Sequence, residues 1–129
     1  MADVERAKRI YELMVLIAWA DGKVAAAEAL AVHEIVAHLP EFKDIGSKSE
    51  LSKGVKARID EKGMETALRE AAAAIVDRGD RELAFRCCAK VVDADGDLGA
   101  EDADALATLQ ELFALSGEDV KRLMANLHG

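Results

Sequence analysis

Carboxylates gather at two places in this chain where a helix must stop and reverse. The first segment, WADGKVAAAE over residues 19–28, contains Asp21 and Glu28, and the second, DADGDLGAED over residues 93–102, contains Asp93, Asp95, Asp97, Glu101 and Asp102. From Asp93 to Asp104 six of twelve residues are acids, with no Lys or Arg among them. Hard divalent cations need several oxygen ligands converging from a short turning segment, so these oxygens suit calcium or magnesium. Zinc suits them less: neither turn contains Cys or His, and His33 and His38, five residues apart, fall on different faces of a helix. The helix field sharpens the point. Asp21, Asp93 and Asp95 stand near helix C-termini, where carbonyl dipoles are already negative and a carboxylate is unfavourable unless something offsets it. Glu28, Glu101 and Asp102 lie in the first turns of the following helices, where the dipole favours them. The plainer reading is that acidic turns between helices serve as solvated caps.

Both turns invite comparison with the EF-hand, whose twelve-residue loop takes glycine sixth, an apolar residue eighth and an acid twelfth. With Gly96 sixth, Asp93 is third, Asp95 fifth, Leu98 eighth and Asp102 twelfth; with Gly22 sixth, Asp21 is fifth, Val24 eighth and Glu28 twelfth. The first ligand position fails in both, being Val91 in one and Ile17 in the other, and Trp19 takes the third position of the earlier loop. A calcium-binding protein of this kind would be a degenerate EF-hand, its ion drawing ligands from elsewhere.

The elements that must hold these turns are helices. Apolar residues recur at i, i+3, i+4 and i+7 nearly throughout. The spacing predicts a first helix with Asp3 as cap and Ile10, Leu13, Met14 and Ile17 on one stripe, ending near Ala20. A second begins near Ala25, buries Val32, Ile35, Val36 and Leu39, and is stopped by Pro40. Residues 41–49 read as polar loop, followed by a short helix with Leu51, Val55 and Ile59, weakened by Gly54. A fourth runs from about Met64 to Val76, with Met64, Leu68, Ala71 and Ile75 inward and Gly79 in the break after it. The fifth follows an Asp80 cap and carries Ala84, Cys87, Cys88 and Val91. A sixth from about Ala100 buries Leu106, Leu109, Leu112 and Phe113. Ser116 then caps a seventh with Val120, Leu123, Met124 and Leu127, Asp119 completing a capping box.

Sliding the sequence by 74 residues superposes two of these helix–turn–helix units. Tyr11 falls on Phe85, Ala20-Asp21-Gly22 on Ala94-Asp95-Gly96, Val24 on Leu98, Glu28 on Asp102, Val32 on Leu106, Ile35 on Leu109 and Leu39 on Phe113. Core and turn positions repeat together, which predicts two helical hairpins related by an approximate two-fold. The fold class expected is therefore all-α, a single domain over 1–129 built as a bundle of about seven helices with two pseudo-symmetric hairpins. Each turn has a glycine where a reversing helix commonly needs positive φ.

The segments WADGKVAAAEALAVHEIVAHL and DADGDLGAEDADALATLQELF resemble the two halves of a TerB-like domain, in which a helix ends in Asp-Gly and the next helix supplies an acid. The resemblance covers nearly the whole chain and is weakest in the middle helices. It implies a seven-helix fold, association with tellurite resistance and with wider chemical and phage stress, cation binding by the acids, and work within multiprotein assemblies near the cytoplasmic membrane. Carried over by position, its site residues are Asp21, Glu28, Asp95 and Asp102. Two departures stand out: Asp102 replaces the more typical glutamate, and Lys23 opposes a cation in the first turn.

Composition bounds the rest. A chain of 129 residues with 51% hydrophobic content has enough for one core, and 4% aromatics with a single proline argue against a sheet. A formal charge of -8 repels phosphate backbones and anionic lipid headgroups, so no nucleic acid and no direct membrane insertion are expected, and basic protein surfaces or cations suit it better. MADVERAKRI carries charges where a secretory signal would be apolar, and the only cysteines, Cys87 and Cys88, are adjacent and unable to staple distant segments, so a cytoplasmic location is expected. Both thiols lie on an apolar stripe and read as small buried hydrophobes rather than a redox pair. Trp19 reads as core packing, and no nucleophile elbow or phosphate-cradling loop accompanies His33, His38 or His128. Three functions remain: a non-enzymatic stress-response domain that binds a divalent cation and engages a protein partner; a metal-free scaffold or adaptor recognising a basic partner by charge; and an enzyme, which would need a pocket lined by titratable groups.

Overall fold

The computed structural model describes residues 2–19, 26–38, 42, 48–93 and 100–125. Within them lie seven helices and no strand: α1 (Ala2–Ala18), α2 (Ala26–His38), α3 (Lys48–Lys62), α4 (Met64–Ala73), α5 (Arg78–Asp93), α6 (Ala100–Leu112) and α7 (Gly117–Ala125). The all-α bundle read from the sequence is the observed fold.

Two helices form its centre. α1 buries Leu13, Met14, Leu16 and Ile17 at 1% exposure or less, α5 buries Ala84, Cys88 and Val91 completely, and the two make the most extensive helix–helix contact of the molecule. α1 also packs on α2, α3 and α4, and α5 on α2, α6 and α7. The repeat is visible in this arrangement: α2 lies against α5 as well as its own partner α1, and α6 lies against α1 as well as α5. Ile10 and Ala84, Tyr11 and Phe85, Met14 and Cys88, and Ile17 and Val91 are core residues at matching positions of the two units.

Ends of helices show how local sequence and tertiary partners divide the work. At α7 the expected capping box is present: Asp119 N–H donates to Ser116 Oγ at 3.0 Å, and Ser116 N–H donates to Asp119 Oδ2 at 3.1 Å. At α5 the cap is Asp77 and not Asp80, since Asp80 N–H donates to Asp77 Oδ2 at 3.1 Å and the helix starts at Arg78. Gly79 therefore belongs to the first turn of α5 and not to the break before it. α4 stops at Ala73, three residues short of the expected Val76; Ile75 is still buried while Val76 is 74% exposed. α4 has no basic residue in its own last turn, and the cations at its end come from neighbours, Arg81 Nε donating to Ile75 O and Arg9 to Ala74 O. α3 is not short: its 15 residues run through Gly54, where the backbone is helical and nothing crowds the α-carbon. Gly63 at φ 87° is the one residue between α3 and α4.

Three further differences concern one helix start and two side chains. α1 begins at Ala2, which puts Asp3 inside the first turn instead of at the cap. Met124, one of the apolar residues of α7, is 39% exposed, while Leu123 beside it is buried. Phe42, in the stretch read as polar loop, is 1% exposed and among the largest fully buried side chains. Leu39 and Leu127 lie outside the described residues.

Candidate functional site

The frame around the two acidic turns is built from the most buried helices of the molecule. α1 leads into the first turn and α5 into the second, and α2 and α6 lead out of them. Ala26 and Ala100, 74 residues apart, open the outgoing helices, and His38 and Leu112, also 74 apart, close them, so both are 13 residues long. Glu28 is the third residue of α2, and Asp102 the third residue of α6, the same register in each unit; Glu101 precedes Asp102, and Asp93 is the last residue of α5. Asp21, Asp95 and Asp97 lie outside the described residues, as do the side chains of the other four. Among the described side chains no three of His, Cys, Asp or Glu gather into a metal cage.

What α1 presents at its end is described. Trp19 N–H is shared between the carbonyls of Val15 and Leu16, each at 3.1 Å, which closes the helix. The indole packs against the core, as expected, and Lys56 Nζ of α3 stands 5.8 Å from its ring centroid.

A pocket with titratable groups does occur at the opposite end of α1. A cleft of about 430 Å³ is lined by Glu5, Arg6, Arg9, Asp77 and Asp80 and by the 74–76 segment. Its charges are engaged in holding the frame. Arg6 forks onto Asp80, Nε to Oδ2 at 2.6 Å and Nη2 to Oδ1 at 2.7 Å; Arg9 Nη1 donates to Ala74 O at 3.4 Å; Asp77 caps α5. Arg6 and Asp80 are 74 residues apart, hence equivalent positions of the repeat, and equivalent positions that touch must straddle the axis relating the two units. This pairing escaped the sequence reading, although opposite charges at one repeat position were a usable signal for it.

Residues 7–125 match the family model described as tellurite resistance protein TerB. The chain belongs to the TerB family. Comparison with curated proteins found no match, and comparison with solved structures found none. The TerB match spans both helix pairs and the middle helices, and both Asp-Gly segments of the sequence fall inside it. No helix among the described residues is long and apolar enough to cross a membrane.

The thiols belong to the packing of this TerB domain. Cys87 and Cys88 are both buried, and Cys88 stands where Met14 stands in the first unit. Burial, with Cys87 adding to it, pushes the Cys88 thiol well above its ordinary range, so the nucleophilic thiolate is scarce at neutral pH.

Proposed function

We propose that this TerB domain is a non-enzymatic stress-response module that binds a divalent cation, calcium or magnesium, through its acidic Asp-Gly turns and uses the neutralised surface to engage a protein partner. The observation that supports it most is the matched register of Glu28 and Asp102 at the starts of two equal helices, each following an Asp-Gly turn on a buried helix. Hard cations require oxygen ligands from a turn and from the next helix to converge, and acids in this register are the residue types that would supply them. Work in a cytoplasmic, membrane-proximal assembly is part of the same reading.

A calcium titration followed by backbone NMR tests it. Amides at Asp95 and Asp102 should shift, and saturating ion should raise the unfolding midpoint, by about 2.7 kcal/mol of added stability at a hundredfold excess over Kd. No shift at millimolar calcium or magnesium removes the metal. A second reading, a metal-free adaptor for a basic partner, is favoured by the net charge of -8. Replacing Asp95, Asp97 and Asp102 by Asn would then weaken partner capture while calcium leaves the melting of the unsubstituted protein unmoved.

A further inference from the structure

α5 is buried on most sides, and the stripe it leaves outward is only half covered. Arg78, Glu82, Arg86 and Lys90 follow one another along that stripe at i+4 spacing. α7 meets the first two: Arg78 Nη2 donates to Asp119 Oδ2 at 3.2 Å, and Arg122 forks onto Glu82 at 3.3 and 3.1 Å. The two helices therefore run side by side in one direction, and Arg86 and Lys90 stand one and two turns beyond the last pair. Arg86 is half-buried and Lys90 exposed, and neither has a partner among the described residues. Every other arginine among them donates to a carboxylate or a backbone carbonyl.

The first unit shows what covers these positions. Shifted by 74 residues, Arg86 and Lys90 fall on Glu12 and Leu16 of α1. Glu12 is paired with Arg58 of α3, and Leu16 is 1% exposed. α3, 15 residues long, follows α1 from the Ser52–Tyr11 hydrogen bond to Lys56 over Trp19, whereas the pairs made by α7 stop at Glu82, about three turns before the end of α5. Each covering helix brings the charge opposite to the one it meets, Arg58 to Glu12, Asp119 to Arg78 and Arg122 to Glu82.

We propose that the open half of this α5 stripe is a docking face for an acidic helix of a partner protein, whose carboxylates at i and i+4 meet Arg86 and Lys90 in line with α7. The inference stands without cation binding at the Asp-Gly turns. At a net charge of -8 the chain repels an acidic partner at long range, so the register of the two cations, not overall charge, must hold it.

The test is an NMR titration of the full chain with a synthetic alanine-rich helical peptide carrying glutamates at i and i+4. A peptide of the same composition with the glutamates moved off that spacing is the control. The first peptide should shift the Arg86 Nε–H and the amides around Lys90 and leave α1 unmoved. Arg86→Gln combined with Lys90→Gln should weaken its binding roughly fivefold, with the helical circular dichroism unchanged. Equal binding of both peptides, shifts that survive the double substitution, or no shift at millimolar peptide overturns the proposal. Shifts of the same residues on concentrating the protein alone would make a second copy of this chain the occupant and overturn the acidic partner.

Discussion

Replacing Arg6 by alanine should cost more than replacing its partner, and the reason lies in how unequally the pair is buried. The Asp80 side chain is 12% exposed and the Arg6 side chain 47%. Exposed ion pairs contribute about 0–1 kcal/mol, whereas stranding one member of a fully buried pair costs about 3–5 kcal/mol. Arg6→Ala leaves the desolvated carboxylate without its fork, offset in part by the N-terminal field of α5, so a loss of about 2 kcal/mol is expected. Asp80→Ala leaves a guanidinium that is already half in water and rehydrates, so its loss should be nearer about 1 kcal/mol. Urea unfolding followed by far-ultraviolet circular dichroism of both single variants and the double variant gives the coupling directly, expected at about 1–2 kcal/mol. Arg6→Ala should also lower the Tm by roughly 8 °C for a domain of this size. A coupling near zero, or Asp80→Ala costing more than Arg6→Ala, would refute the placement of this pair at the junction of the two units.

Three other outcomes follow from the same physical reading. Phe42→Ala should destabilise by about 3–5 kcal/mol in urea unfolding, the cost of emptying a buried aromatic site, whereas a residue in a solvated loop would cost almost nothing. Ala114→Gly should stabilise by about 0.5 kcal/mol, reversing the usual sign of that change, because Ala114 sits at φ 56° where glycine avoids a steric penalty of about 1–2 kcal/mol and gives back part of it in unfolded-state entropy. The Asp119 carboxyl is held below its ordinary value by the Ser116 backbone N–H, then the Ser116 hydroxyl, with Arg122 and Arg78 assisting. A lowered folded-state pKa means the stabilisation is present above the ordinary carboxylate range and fades as pH falls through the lowered value, so Asp119→Asn should flatten the acid limb of a stability–pH curve; an unchanged limb contradicts the assignment.

The parts of this fold legible in sequence are those decided within one or two helical turns. The stripes of α1 and α5 are legible because Leu13, Met14 and Ile17, like Ala84, Cys88 and Val91, recur at helical spacing, and all are at the core. The Ser116–Asp119 box is legible because both partners sit within four residues. Asp77 and Asp80 show the limit. Both precede the same apolar run, both are good caps, and the choice between them is made by Arg6, which draws Asp80 across to α1. The early stop of α4 depends likewise on Arg9 and Arg81, donors from other helices, and Phe42 is a lone aromatic with no periodic neighbours to announce it.

The same distinction governs the acids. Their helix positions follow from the repeat, and Glu28 and Asp102 stand in the register it requires. Whether oxygens converge depends on turn backbone and on charges brought from elsewhere, which no comparison confined to the two repeats can show. A duplicated motif need not mean a duplicated environment, because of the two helices inserted between the copies α4 packs on both α1 and α6 whereas α3 packs on α1 and α4.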